Sequence, residues 1–234
     1  MSKRIHNVRM PNPWRPVLAL LLGALLGRGV RAALYRRLCG YEIAPDASIG
    51  LALINVSHAE IGPGSHIGHF TIIRNLDSLV LASEARIGTF NWVFGMLPSK
   101  EHFADEPDRR SVLVMGEGSA LTSRHIVDCT AAVTIGSYAT VAGFNSQILT
   151  HGIDVGTNRQ TSRAVVVGRH AMLGSRVVLL KGACVPDRAV VSAGSVFSGA
   201  PKGSGGLWSG APAKRVREID ERGAYFTRTS ARVT

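Results

Sequence analysis

A single histidine stands where a regular aliphatic stretch of the chain stops. Residues 147–154 read QILTHGID, so His151 follows two aliphatic residues and a threonine and precedes a glycine. Histidine suits general-base chemistry, because its unperturbed pKa of about 6.5 leaves the imidazole able to take a proton near neutral pH. The position of His151 at the edge of a regular pattern favours a functional role. We expect His66, His69 and His170, which lie within the pattern, to be structural.

The element that must position His151 is a six-residue repeat. From residue 43 onward an aliphatic residue recurs every six positions, as in VGRHAMLGSRVVLLKGACVPDRAVVSAGSV (167–196), and a small residue often follows four positions later. A period of six fits neither an α-helix nor an ordinary amphipathic strand, but it fits short strands wound into stacked coils around one aliphatic column. The repeat starts at Ile43, Ile49, Ile61, Ile67, Leu81, Ile87, Ile135, Val141, Val167, Leu173, Leu179, Val185 and Val191.

Stacking of the coils predicts which residues are neighbours. Successive coils lie about 4.8 Å apart, and the repeat aligns RHIVD (124–128) with NSQILTH (145–151). This alignment puts His125 near Ser146 and Asp128 near Leu149. The predicted polar cluster consists of His151, Asp128, His125, Asn145 and Asp154.

The repeat is interrupted twice, at FGMLPSKEHFADEPDRR (94–110) and at GIDVGTNRQTSRA (152–164). Segments that leave a rigid scaffold often carry chemistry. The second segment begins beside His151, so it is the stronger functional candidate, whereas the first could be a surface insertion.

Composition indicates one domain with an anionic partner. The chain has 234 residues, 45% hydrophobic and 6% aromatic, with 26 glycines and a formal net charge of +11. Excess positive charge indicates nucleic acid, a membrane surface or a phosphate-rich small molecule. Nucleic acid is disfavoured, because the repeats present no basic face studded with aromatic residues. Three widely spaced cysteines form neither a disulfide framework nor a zinc pattern, so we expect a reducing, cytoplasmic compartment.

The first 40 residues carry eight Lys/Arg and no acid. The apolar run PVLALLLGALLG (16–27) is shorter than the roughly 20 residues that span a bilayer, and RGVRAALYRRL (28–38) follows it. An amphipathic helix on an anionic membrane surface is favoured, at the inner face of the membrane. A helix that caps the domain or packs on a partner subunit, and a signal peptide, are the alternatives.

The [I/V/L]-G-x-x-[A/S/T]-x runs resemble the hexapeptide-repeat family of left-handed parallel β-helix acyltransferases over about residues 43–216. The segments HIVDCTAAVTIG, NSQILTHGID and SGAPAKRVREI are similar to its sugar and exopolysaccharide O-acetyltransferase branch. The resemblance implies an all-β fold, a left-handed parallel β-helix with an N-terminal helix and a short C-terminal helix. We expect a helical segment over 1–40, the β-helix domain over 41–216 and a basic tail over 217–234. The left-handedness comes from the family, since parallel crossovers are generally right-handed.

The same resemblance implies roles for individual residues. His151 falls on the catalytic base, and Ser175 falls on the serine whose backbone N–H meets the thioester oxygen. Asp128 falls near an aspartate of the acceptor pocket, where it either binds the acceptor or orients the imidazole; His125 and Asn145 are predicted to join it. The predicted coenzyme A groove includes Ala193, Pro212 and Lys214.

The function implied by these residues is O-acetyl transfer from acetyl-CoA to a hydroxyl of a sugar or glycan, directly and without a metal, in polysaccharide biosynthesis. Family members are homotrimers with active sites between subunits. A non-catalytic scaffold or binding protein on the same fold is the alternative. A zinc enzyme like the γ-carbonic anhydrases is disfavoured, because His125 and His151 do not supply the three histidine ligands that such a site needs.

Overall fold

Two helices precede the coil in the computed structural model, which describes residues 12–96, 102–103, 105–203 and 205–233. Helix α1 spans Trp14–Leu26 and α2 spans Arg31–Cys39, joined by a 3₁₀ turn at Arg28–Val30. The helices approach closely at Gly23, where an added Cβ would lie 2.8 Å from the Cγ of Arg31. The Arg31 Nε donates to the Gly23 carbonyl over 3.0 Å. Among the described residues, no helix is long and apolar enough to cross a membrane.

Helix α2 and the residues after it close the end of the coil. The Tyr35 hydroxyl donates to the Ala52 carbonyl over 2.7 Å and accepts from the Ile54 N–H over 3.2 Å. The Tyr41 hydroxyl accepts from the Val56 N–H over 3.1 Å. Exposed edges of a sheet leave backbone groups without partners. These two buried tyrosines therefore satisfy part of the edge of the first coil, which has no preceding coil to pair with.

The rest of the chain forms short strands. They are β1 (Glu42–Ile43), β2 (Ser48–Ile49), β3 (Leu53–Ile61), β4 (His66–Ile67), β5 (Ile72–Leu81), β6 (Arg86–Ile87), β7 (Trp92–Phe94), β8 (Val112–Met115), β9 (Ala120–Ser123), β10 (Ile126–Asp128), β11 (Val133–Ile135), β12 (Thr140–Phe144), β13 (Gln147–Ile148), β14 (His151–Asp154), β15 (Arg159–Ser162), β16 (Val165–Val167), β17 (Met172–Leu173), β18 (Val178–Leu179), β19 (Cys184–Val185), β20 (Val190–Val191), β21 (Val196–Phe197), β22 (Leu207–Gly210) and β23 (Ala213–Arg217). A last helix, α3, spans Ala224–Thr227.

The strands stack in parallel as the three faces of a prism. The first face runs β1, β3, β5, β8, β11, β16 and β19, and the second runs β2, β4, β6, β9, β12, β17, β20 and β22. The third face runs from the first halves of β3 and β5 through β7, β10, β13, β18 and β21. This architecture confirms the predicted left-handed parallel β-helix with helices at both ends.

The aliphatic residue that starts each predicted hexapeptide is buried inside the prism, from Ile43 to Val191. The small residues four positions later are also buried, at the corners; they are Ala47, Ser65, Thr71, Ala85, Ala139, Ala171, Ala183, Ala189 and Ser195. The glycine of the repeat allows close stacking: a Cβ on Gly88 would lie 2.1 Å from the carbonyl oxygen of Thr122 on the next coil. The six-residue period thus reflects one inward aliphatic side chain and one tight corner per face.

Both interruptions of the repeat leave the prism at one edge, between the third and first faces. The first lies between β7 and β8, and the second contains the antiparallel hairpin β14–β15. At the carboxyl end, β22 and β23 form another antiparallel hairpin. Helix α3 then packs back on the coil, where the Tyr225 hydroxyl donates to the Ala171 carbonyl over 3.2 Å.

Candidate active site

Asp128 and His151 meet at the edge from which both interruptions leave. Strand β10 ends at Asp128, and its register with β13 pairs Ile126 with Gln147 and Val127 with Ile148. Continuing that register sets Asp128 beside Leu149, as the repeat predicts. Asp128 therefore lies one coil below the backbone that turns outward at His151.

The Asp128 carboxylate is buried and held by several donors. Its Oδ2 accepts from the Nδ1 of His151 over 2.6 Å and from the Thr150 N–H over 2.8 Å. Its Oδ1 accepts from the Thr130 N–H over 2.9 Å. Burial alone would raise the pKa of Asp128, but the hydrogen bonds from His151, Thr130 and Thr150 outweigh burial and hold that pKa well below its usual range. The carboxylate is therefore ionised and fixed in position.

Of the two ring nitrogens of His151, Nδ1 bonds Asp128, and Nε2 has no hydrogen-bond partner among the described residues. An ionised carboxylate only accepts hydrogen bonds, so the Nδ1 of His151 carries the proton and the Nε2 has a lone pair. The hydrogen bond to Asp128 raises the pKa of His151, while partial burial and the charges of Arg109 and Lys181 oppose the rise. The side chain is 34% exposed. The buried carboxylate thus sets the tautomer of the imidazole and leaves Nε2 as the nitrogen that could accept a proton.

A second set of contacts holds the imidazole from the first interruption. The ring of Phe103 meets the ring of His151 edge-on, with centroids 6.3 Å apart and an interplanar angle of 87°. The Arg109 guanidinium lies 4.5 Å from the centroid of the Phe103 ring. Arg109 also donates to the Met96 carbonyl over 2.7 Å and to the Thr130 carbonyl. The imidazole thus lies between the coil and an anchored aromatic ring.

The two interruptions are tied together beyond His151. The Glu106 carboxylate accepts from the Ser162 N–H over 2.8 Å and from the Ser162 hydroxyl, and Asp105 pairs with Arg159. A cavity of about 560 Å³ lies between the two segments. Its described lining residues are His102, Phe103, Asp105, Glu106, Ile153, Thr157, Asn158, Arg159, Gln160 and Thr161.

His125 lies apart from the group around His151. It is buried, its Nδ1 accepts from the Ser146 N–H over 3.1 Å, and its Nε2 contacts the Thr122 hydroxyl over 2.9 Å. Burial lowers the pKa of His125 to about 4. The predicted proximity to Ser146 is present, but both ring nitrogens serve the coil rather than a ligand.

Two further members of the predicted cluster also lie elsewhere. Asn145 is exposed at the edge between the second and third faces, where its N–H donates to the Arg124 carbonyl over 3.0 Å. Asp154 lies in the hairpin, and its Oδ1 accepts from the Gly156 N–H over 2.9 Å. The structure therefore brings Asp128 to His151 and leaves His125, Asn145 and Asp154 apart from that pair.

The residues predicted to bind coenzyme A lie away from His151 within one chain. Ser175 lies at the edge between the second and third faces, and its carbonyl accepts from the Gly194 N–H over 2.9 Å. Ala193 stacks on Gly174, where an added Cβ would lie 2.8 Å from the Ala193 nitrogen. Pro212 lies in the turn of the β22–β23 hairpin and Lys214 follows it in β23. A single chain does not bring this edge to the base.

Sequence reasoning missed the residues that hold the Asp128–His151 pair. Thr150 is buried and donates its hydroxyl to the Oδ2 of Asp128 over 3.1 Å. A polar residue directly before the histidine was the available signal. Phe103 and Arg109 gave no signal, because they lie in an aperiodic segment whose path the repeat does not determine.

No group of three or more His, Cys, Asp or Glu among the described residues is arranged to hold a metal ion.

The comparisons with known proteins show which fold the chain has and nothing further. No protein-family model matches the chain, and no curated protein sequence matches it. Among solved structures, the polysialic acid O-acetyltransferase OatWY aligns with a TM-score of 0.58 at 18% identity, covering 76% of this chain and 84% of that chain. A hexapeptide-repeat acetyltransferase from Vibrio cholerae O1 biovar eltor, in complex with acetyl coenzyme A, aligns with a TM-score of 0.50 at 17% identity, covering 94% and 91%. This chain has the fold of those enzymes.

Proposed function

We propose that this protein is an acetyl-CoA-dependent O-acetyltransferase with His151 as its general base. The observation that carries the proposal is the 2.6 Å hydrogen bond from the His151 Nδ1 to the buried Asp128 carboxylate, at an edge where the Nε2 is available. The shared fold with a polysialic acid O-acetyltransferase and with an acetyltransferase bound to acetyl coenzyme A supports the same chemistry.

The proposed transfer is direct. The acceptor hydroxyl gives its proton to the His151 Nε2 as its oxygen attacks the thioester carbonyl carbon. The Ser175 N–H stabilises the oxyanion of the tetrahedral intermediate. The C–S bond then breaks, and the imidazolium returns the proton to the departing thiolate, so that coenzyme A leaves as a thiol. Asp128 stays ionised throughout, so it stabilises the imidazolium as well as holding the ring in place. We therefore assign Asp128 to orienting the base.

We place coenzyme A along the edge that carries Ser175 and Ala193, with Pro212 and Lys214 toward its far end. His151 occupies a different edge of the prism, so a complete site needs a second chain. We therefore propose a homotrimer in which His151 of one subunit faces the Ser175 edge of a neighbour.

Exposed aromatic residues near the Ser175 edge support this assembly. Phe70 and Trp92 are 55% and 53% exposed, and the ring of Phe70 stacks on Phe90 with centroids 5.0 Å apart. Apolar patches of this kind mark interfaces. Light scattering should give the mass of three chains; an active monomer would contradict the shared site.

The experiment that tests the function is a mass-spectrometric screen of acetyl transfer from acetyl-CoA to a panel of glycans. We expect a sugar or glycan hydroxyl to be modified by the wild type and by His58→Ala, which removes an exposed histidine of β3. His151→Ala should abolish the product while still binding coenzyme A. Failure of the wild type to bind acetyl-CoA would favour a non-catalytic scaffold instead.

We further propose that α1 places the enzyme on the inner, cytoplasmic surface of a membrane. Trp14, Leu18, Leu21 and Leu25 share one face of α1 and are 77%, 46%, 57% and 82% exposed. The opposite face is buried against the rest of the protein. A helix with an exposed apolar stripe in a basic segment suits an in-plane position at an anionic bilayer. Since α2 already closes the coil, α1 is left for this role.

Vesicle sedimentation tests the membrane proposal. The full chain should sediment with phosphatidylglycerol-containing vesicles, and less so in high salt, because screening weakens charge attraction. Leu21→Asp with Leu25→Asp should remain in the supernatant. Val216→Asp, which changes an exposed valine at the opposite end of the chain, should behave as the wild type does. Equal sedimentation of all three proteins would refute the proposal.

A further inference from the structure

The cavity between the two interruptions lies against the hairpin that begins at His151. In β14–β15, His151 pairs with Ser162 and Ile153 pairs with Gln160. Directly paired residues, and residues two apart, project to the same side of a β-ribbon. Glu106 binds Ser162 from that side, and Phe103 contacts His151 there. Ile153 and Gln160 line the cavity, and so do Arg159 and Thr161 from the other side of the ribbon. Phe103 both lines the cavity and contacts His151, so the cavity adjoins the base.

The lining offers neutral hydrogen-bonding groups. Asn158, Thr157 and Gln160 contribute amides and a hydroxyl. The Oε1 of Gln160 is buried and has no hydrogen-bond partner. A buried oxygen without a partner lowers its free energy by accepting a hydrogen bond from a ligand, and a sugar hydroxyl can donate one. The volume of about 560 Å³ lies in the ordinary range for small-molecule sites.

The charged groups of the lining disfavour an acidic ligand. Arg159 already pairs with Asp105, and Glu106 is occupied by Ser162. His102 is the other basic side chain of the described lining, and Arg109 and Lys181, whose charges act on His151, are not part of that lining. A carboxylate on a ligand in this cavity would therefore meet two carboxylates, one cation that is already paired and the ring of His102, and like charges at close range cost free energy.

We infer that this cavity holds the ring of an uncharged sugar, one of whose hydroxyls reaches the His151 Nε2. The inference rests on the proposed function and adds the class and location of the acceptor. It separates this chain from the structurally similar polysialic acid O-acetyltransferase, whose acceptor is by name an acidic glycan. The excess positive charge of the whole chain then serves the coenzyme and the membrane rather than the acceptor.

Matched pairs of sugars test the inference on the full-length protein. Methyl glucoside and methyl galactoside are compared with the corresponding methyl uronides, first by saturation-transfer NMR and then by acetyl transfer. We expect a neutral member to bind and to exceed its uronide at least about tenfold in kcat/KM. Binding of uronides in preference to neutral sugars, or no binding of any neutral member, would overturn the inference.

Variants locate the acceptor in the cavity. Gln160→Leu should raise the KM for the neutral sugar about tenfold and leave the KM for acetyl-CoA unchanged, because a hydroxyl loses one partner. Asp105→Asn removes a carboxylate and releases Arg159, so the uronide should gain about tenfold relative to the neutral sugar. The matched control is Val155→Ser, at the 93% exposed tip of the same hairpin.

The two proposals fail in different ways. If acetyl-CoA binds and His151-dependent transfer occurs, but Gln160→Leu leaves the KM of the sugar unchanged, the cavity assignment alone is wrong. If acetyl-CoA does not bind the wild-type protein, the proposed function fails, whatever the sugars do.

Discussion

His125 and His151 lie at two different edges of the prism, and their ring nitrogens are used in opposite ways. His125 is buried with both ring nitrogens engaged, and burial lowers its pKa to about 4. His151 leaves one nitrogen available, and its hydrogen bond to Asp128 raises its pKa. The two residues belong to neighbouring coils, yet the side chain of His125 packs inside the prism and that of His151 reaches the surface.

The difference arises from the path that the chain takes after each histidine. After His125 the chain continues as β10 within the repeat, so the coils above and below surround the imidazole. After His151 the chain leaves the prism as a hairpin, so the coil that bears Asp128 lies against one side of the ring and no further coil covers it, while Phe103 of the first interruption meets it edge-on. The end of the repeat thus leaves the imidazole of His151 partly exposed at the surface.

The largest effect should come from substituting each histidine by glutamine. We expect His151→Gln to lower kcat by about 10²–10⁴, the usual range for loss of a general base, with little change in melting temperature. His125→Gln should keep near-normal kcat in the folded protein. Steady-state kinetics and thermal melts of both variants make the comparison. A large loss of kcat in folded His125→Gln would contradict the division of roles.

A smaller effect is expected from Asp128→Asn. A hydrogen bond to a charged group contributes about 1.5–3 kcal/mol, so its loss should lower kcat roughly 10–100-fold. The amide can also donate to Nδ1, which would place the ring proton on Nε2 and remove the basic lone pair. A higher KM for the acceptor with kcat unchanged would show that Asp128 binds the acceptor instead.

The pH–rate profile tests whether Asp128 raises the pKa of His151. The base must be neutral, so kcat/KM should rise with pH and level off above the pKa of His151, which the hydrogen bond to Asp128 raises from its ordinary value. Asp128→Asn should move this limb to lower pH, because the interaction that raises the pKa is lost. Profiles of both proteins between pH 5 and 9 measure the shift. An unchanged limb would mean that another group controls it.

Burial of His125 should make the free energy of unfolding depend on pH. Its pKa is about 4 when folded, against about 6.5 when unfolded, so the unfolded chain binds the extra proton between these values. Stability therefore falls as pH drops from about 6.5 to 4, by up to about 3 kcal/mol. Denaturant titrations of wild type and His125→Gln at pH 7 and pH 5 should show a smaller loss in the variant. Equal losses would remove His125 as the cause.

The smallest effect is expected from Phe103→Leu. The edge-on contact with His151 positions the ring without touching the reacting atoms, and aromatic pairs contribute about 0.5–1.5 kcal/mol. We expect kcat to fall a few-fold, with the KM for acetyl-CoA and the pH limb unchanged. Phe226→Leu, a buried substitution in α3, serves as the control.

The coil and the placement of Asp128 beside the His151 strand were predictable, because a six-residue period fixes register. The same register predicted that His125 lies near Ser146, but it does not determine that the side chain of His125 points inward. Asn145 and Asp154 were predicted to join the cluster because sequence proximity does not reveal the direction of a side chain at a corner or in a hairpin. Phe103, Arg109 and the cavity depend on two aperiodic segments meeting, which no period encodes.

The stacked coils also act as a spacer of defined height. Strand β13, which leads to His151, is the fifth level of the third face after β3, β5, β7 and β10. Levels rise about 4.8 Å each, so the base stands roughly 20 Å along the axis from the end that α2 closes. Each coil pairs only with its neighbours, so adding or removing one early coil changes this height by a single level and leaves the Asp128–His151 pair intact. If the proposed function and membrane position hold, the number of coils is an adjustable dimension that sets the distance between the membrane at α1 and the hydroxyl that is acetylated.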